Sequence, residues 1–82
     1  MILVSLDKSV ARFLVWQLVK KRKELGLSQR EVAKLSGIRQ PMIARIEKGK
    51  TIPRIDTFVK LCMVLDFHIQ LLNTNIKENN DE

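Results

Sequence analysis

For most of its length the chain places apolar residues on a helical period. Residues 7–25 contain neither Gly nor Pro, and Ala11, Leu14, Val15, Leu18 and Leu25 recur at spacings of three, four and seven. That pattern predicts an amphipathic helix. Phe13 and Trp16 fall off its expected core face, and Gly26 supplies the residue that most easily forms a left-handed cap. Ser28-Gln29-Arg30-Glu31 has the form of a capping box, which predicts a short helix from about Gln29 to Ser36, broken by Gly37. A further helix is predicted from Gln40 to just before Gly49, with Pro41 tolerated in its first turn, where its missing N–H would have no partner anyway. Lys50 to Pro53 reads as a loop, and Ile55, Phe58, Leu61, Cys62 and Leu65 form a fourth helical stripe. Beyond Asp66 the period shortens to two. Phe67, Ile69 and Leu71 alternate with His68, Gln70 and Leu72, which favours a strand. The expected organisation is an N-terminal, β-prone segment at 1–6, a helical domain at 7–66, a strand at 67–72 and a flexible acidic tail at 73–82.

Length and composition narrow the class. The chain has 82 residues, enough for one domain and too few for two. No apolar run approaches the roughly 18 residues of a membrane span, and Asp7, Lys8 and Arg12 interrupt what a signal peptide would need as a continuous apolar core. A single cysteine, Cys62, forms neither an internal disulfide nor a metal knuckle. The expected compartment is the cytoplasm. His68 lacks the companions of a metal site or a catalytic triad, and no nucleophile elbow or phosphate-cradling glycine loop is present. The sequence therefore predicts no enzyme, no metal and no cofactor. Cys62 reads as a small core residue.

Charge sharpens the picture. The net charge is +6, but residues 20–54 hold eleven bases against three acids, while residues 66–82 are net acidic. A basic centre between neutral and acidic ends suggests one surface that faces a polyanion; a solvated basic face with no partner is the alternative.

Residues 29–48 join these observations. Ala33 is small enough for two short helices to cross, Gly37 follows four residues later where a tight turn needs positive φ, and Ile38, Ile43 and Ile46 face back toward Val32. This is the spacing of a helix-turn-helix. The stretch LGLSQREVAKLSGIRQPMIARIEKGKTIPRIDTFVKLCMVL, residues 25–65, resembles the lambda Cro/CI-type helix-turn-helix domain, the XRE family, through its L-S-Q opening, its internal Ala and Gly, its I-A-R-I-E-x-G run and a Pro four residues beyond that Gly. The resemblance implies a mainly α fold: a five-helix lambda-repressor-like bundle, here closed by a short C-terminal β-strand in place of the typical last helices. Two departures stand out. Arg39 stands where Ser or Thr usually caps the recognition helix, and the candidate strand Phe67–Leu72 is similar to that of HigA- and HipB-type antitoxins, in some of which such a strand pairs across a dimer.

The resemblance implies roles for individual residues. The helix from Gln40 would enter the major groove of double-stranded DNA and present Arg39, Gln40, Met42, Ala44 and Arg45 to the bases. Gln pairs with adenine N6 and N7, Arg with guanine O6 and N7, and Met or Ala can lie against a thymine methyl. Gln29, Lys48, Lys50 and Arg54 would hold phosphates, which set register and salt-sensitive affinity. Glu47 would pair with Arg22 and fix the first helix against the recognition helix. Phe13, Trp16, Phe67, Ile69 and Leu71 offer apolar surface for a homodimer on a pseudo-palindromic operator, or for a cognate toxin protein. The expected function is an autorepressor that doubles as the antitoxin of a toxin–antitoxin pair, with a stand-alone or phage-type repressor as the alternative.

Overall fold

A computed structural model describes residues 8–73, which form four helices: α1 (Lys8–Glu24), α2 (Gln29–Ser36), α3 (Gln40–Glu47) and α4 (Ile55–Val64). Helix α2 packs against both α3 and α4, and α1 packs against α3. Leu18, Val32, Ile43, Ile46, Leu61, Cys62 and Leu65 form the buried core, with Val15, Leu27, Ala33, Ile38, Phe58, Val64 and Phe67 packed around it. Every helix thus contributes to one core. Val32, Ile43 and Ile46 are the most deeply enclosed, and burial of an aliphatic side chain of this size contributes about 1.5–3 kcal/mol. None of the described helices is long and apolar enough to cross a membrane.

The core face of α1 is narrower than its spacing suggests. Val15 and Leu18 point inward, whereas Leu14 and Leu25 are exposed, as is Ile55 at the start of α4. Only a helix's contact stripe is buried, and α1 packs against α3.

The expected five-helix bundle with a C-terminal strand is not what the chain forms. The described residues contain four helices and no strand, and residues 67–73 have no regular secondary structure. The cause lies at the end of α4. Asp66 adopts a left-handed conformation (φ 68°). Its N–H donates to the Met63 carbonyl at 3.3 Å, and the Phe67 N–H donates to the Cys62 carbonyl at 2.8 Å. These two bonds are those of a Schellman motif, which reverses the chain and directs the following apolar residue back onto the helix. Phe67 packs on the core accordingly. Ile69, Leu71 and Leu72 remain exposed. Alternation marks which side chains would share a face, but a strand exists only where its backbone groups meet a neighbour. Among the described residues there is none. The expected segment at 1–6 and the tail beyond Asn73 lie outside the described residues.

Candidate nucleic-acid interface

The α2–turn–α3 unit is built from local signals. The Glu31 N–H donates to Ser28 Oγ at 3.0 Å, and the Ser28 N–H donates to Glu31 Oε1 at 2.7 Å. This reciprocal box fixes where α2 starts. Gly37, at φ 79°, ends it, with its N–H donating to the Ala33 carbonyl. A side chain there would be strained. Helix α3 then begins at Gln40 without a side-chain cap, because Arg39 occupies the cap position in extended conformation and makes no capping bond. Pro41 lies in the first turn, so one of the amides that lack a partner there is already removed. Arg39 is exposed and its guanidinium is not used by the cap.

Beneath this unit lies a connected polar cluster. Arg22 Nε donates to Glu47 Oε2 at 2.7 Å, and Arg22 Nη2 donates to Glu47 Oε1 at 2.9 Å. Arg22 Nη1 donates to the Leu27 carbonyl at 2.7 Å. The two charged side chains are only 12% and 14% exposed. Hydrogen bonding to Glu47 holds the Arg22 guanidinium above its ordinary value; burial opposes this and the attraction of Glu47 adds to it. A forked, part-buried pair of this kind has well-defined geometry. The cluster continues outward. Gln29 Nε2 donates to Glu47 Oε1 at 2.8 Å, and Gln40 Nε2 donates to Gln29 Oε1 at 2.9 Å. It therefore links α1, α2 and α3.

The candidate base-reading residues lie at the cap of α3 and along its outward side. Arg39, Met42 and Arg45 are exposed, while Gln40 and Ala44 are half-buried. Lys48 and Lys50 are exposed in the turn that follows. There the Lys50 N–H donates to the Arg45 carbonyl and the Gly49 N–H to the Ile46 carbonyl, closing α3. Arg54 is exposed but engaged, with Nε 3.3 Å from Asp56 Oδ1. Gln29 is half-buried and tied to both Glu47 and Gln40. The link between Gln29 and Gln40 is the feature sequence reasoning missed. Its signal was present: both glutamines open a helix, and the two helices belong to one helix-turn-helix.

Phe13 and Trp16 lie on α1. Both are more than half exposed, their rings stack at 6.1 Å between centroids, and Lys20 Nζ sits 5.8 Å from the Trp16 ring. Trp16 also lines a groove of about 690 Å³ between α1 and the loop after α3. Of the C-terminal apolar residues, Phe67 packs on the core, and Ile69 and Leu71 are exposed. Cys62 is buried, which pushes its thiol above the ordinary value. Among the described residues no group of three or more His, Cys, Asp or Glu side chains could hold a metal ion.

Two short helices joined by a glycine turn, the second with an exposed polar face, define a helix-turn-helix. Residues 18–72 match the family described as Helix-turn-helix, and the chain belongs to it; this is the XRE-type family that its sequence resembles. It is 42% identical over 64 residues to an uncharacterized HTH-type transcriptional regulator of Haemophilus influenzae, a match covering 78% of this chain and 65% of that protein. It is 39% identical over 66 residues to antitoxin HigA1 of Mycobacterium tuberculosis, covering 80% of this chain and 44% of that one. Antitoxin MqsA of Escherichia coli is 43% identical over 56 residues, covering 68% and 42%. The chain thus spans between 42% and 65% of the length of these relatives. No solved structure matches the chain significantly.

Proposed function

We propose that this protein is a sequence-specific DNA-binding transcriptional regulator and the antitoxin of a toxin–antitoxin pair. The observation that carries the first part is the outward side of α3: Arg39 at its cap and Met42 and Arg45 along it are exposed, and Gln40 at its first position is tied through Gln29 to the Arg22–Glu47 pair. Inserted in a major groove, Gln40 suits adenine and Arg45 suits guanine, with Met42 and Ala44 against thymine methyls. Lys48, Lys50, Arg54 and Gln29 lie at the ends of this unit and would hold the backbone. The antitoxin role is supported by the names of two relatives, HigA1 and MqsA. The Haemophilus influenzae relative, named only as a transcriptional regulator, favours the second reading of a repressor without a toxin.

A single unit reads few base pairs, so the functional form is a homodimer on a pseudo-palindromic operator. The stacked Phe13 and Trp16, a large aromatic surface on the first helix, are the proposed contact with a second copy or with the toxin. Sedimentation at micromolar concentration should show a species of twice the 9.5 kDa mass; a lone 9.5 kDa species would remove the dimer from the proposal.

Base and backbone roles separate experimentally. Arg45→Ala should relax preference at one base pair, and Lys50→Ala should weaken all duplexes alike. Equal loss across all duplexes for both variants would contradict the role of Arg45. Co-expression with the product of the neighbouring gene, scored by co-purification and growth rescue, tests the antitoxin role. Failure on both counts leaves the stand-alone repressor.

A further inference from the structure

Around the turn between α2 and α3 the chain gathers three cations over a low floor. Arg30 and Lys34 stand four residues apart on α2, so one follows the other by a turn on the same side. Arg39 comes next, at the cap of α3. All three are exposed, and with Ala33, Gly37 and Ile38 they line one shallow groove of about 500 Å³. Ala33 and Gly37 leave the floor open, and a Cβ placed at Gly37 would meet nothing within 4 Å. None of the residues that line the groove is acidic. The ion pairs among the described residues join Lys20 to Glu24, Arg22 to Glu47 and Arg54 to Asp56, and leave these three cations out. Glu31, the acid beside Arg30, accepts from the Ser28 N–H in the capping box. Like charges gathered round one hollow repel each other, and an anion seated among them relieves that repulsion. The cap position adds a second argument. Ser, Thr or Asp there would accept from one of the first amides of α3. Arginine has no acceptor, and α3 has no side-chain cap. The chain thus forgoes a cap and gains a cation beside the groove.

We propose that Arg30, Lys34 and Arg39 form a phosphate-binding site that grips the duplex backbone at the amino end of α3, while Lys48 and Lys50 hold it at the other end. This inference rests on the reading of α3 as the helix that enters the major groove. Helix α3 has eight residues, a span of about 12 Å, which is close to the roughly 12 Å width of the major groove. Cations at both of its ends therefore reach phosphates that border the groove on its two sides. The guanidinium groups suit pairs of phosphate oxygens, and the Lys34 ammonium adds a point charge. Arg39 changes role in consequence. Its position in the sequence groups it with the base readers, but as a member of this site it contributes register and affinity without selecting a base.

The test uses a duplex selected from a random pool by the wild-type protein. If none is selected, the reading beneath this inference fails, and that failure is seen before any variant is compared. Arg30→Ala/Lys34→Ala is set against Lys8→Ala/Lys60→Ala, which removes the same charge at exposed positions outside the groove. Alanine is a strong helix former, so both variants keep their helices. Each phosphate contact contributes about 0.9 to the slope of log affinity against log salt. Loss of two contacts in each subunit of the proposed dimer should lower that slope by about 3.6, so the variant loses about 10²-fold less affinity than wild type between roughly 50 and 200 mM salt. The control should keep the wild-type slope. Ethylation of single phosphates locates the contact. One or two phosphates at which ethylation weakens the wild type should cease to matter in Arg30→Ala/Lys34→Ala, and they should differ from those lost in Lys50→Ala. Arg39→Ala should weaken binding to all duplexes alike and leave the selected sequence unchanged. An unchanged slope, a slope lowered equally by the control, or loss of preference at one base pair in Arg39→Ala would each overturn the proposal. So would displacement of the duplex by inorganic phosphate beyond that by chloride of equal ionic strength, which would mark a site for free phosphate instead of the backbone.

Discussion

Two individual residues carry measurable consequences. Glu47 sits 14% exposed between Arg22 and Gln29, so Glu47→Ala leaves a forked guanidinium without its partner near the core. Removing one member of such a pair costs about 3 kcal/mol, toward the lower end of the range for buried pairs because a little solvent reaches this one. Chemical denaturation should show that loss, whereas an exposed pair such as Lys20–Glu24 would show almost none. Cys62 gives a pH dependence. Burial raises its thiol value in the folded state, so the native protein holds that proton more tightly than the unfolded chain does. Stability from this source is complete below the ordinary thiol range and is lost as pH rises through that range toward the folded value. Denaturation of the wild type between about pH 7 and 10 should therefore show a decline that Cys62→Ala lacks, even though the variant starts lower from its lost packing.

Helix boundaries follow from a few local devices. The capping box of α2 satisfies two amides at once, and Ser28→Ala should cost about 1 kcal/mol, read as a lowered thermal midpoint with the fold retained. Such devices are what made α2 and α3 legible in advance: Ser28, Glu31, Gly37 and Pro41 each act within a few residues of themselves, and the chain shows helices where they direct. Val32, Ile43 and Ile46 were legible for a related reason, since a helix-turn-helix crossing dictates which faces meet. The C-terminal segment was not legible. Alternation at Phe67, Ile69 and Leu71 has the period of a strand and outweighs the weak signal of Asp66, one of the few non-glycine types that enter the left-handed region; Asp66 takes that turn and Phe67 is drawn onto the core. The link from Gln29 to Gln40 was not legible because it joins two helices through side chains, and neither residue's spacing within its own helix reports the other.

At the scale of the described residues, four helices share one small core, and Arg39, Arg45, Lys48, Lys50 and Arg54 stand exposed on and after the helix-turn-helix. Binding to DNA should depend steeply on salt. On the proposed dimer, Lys48, Lys50 and Arg54 of each subunit would make six phosphate contacts, which would correspond to about a 10³-fold loss of affinity between roughly 50 and 200 mM salt. Titration of a selected duplex across that range measures the slope; a flat response would mean that these cations do not meet the backbone. The claim on which everything else depends is where α3 goes. A crystal structure of the protein with a selected duplex tests it most directly. The account predicts α3 in the major groove, with Gln40 and Arg45 within hydrogen-bond distance of base edges and Gln29 still joined to Gln40. A complex in which α3 lies away from the duplex, with another surface on the DNA, would contradict it.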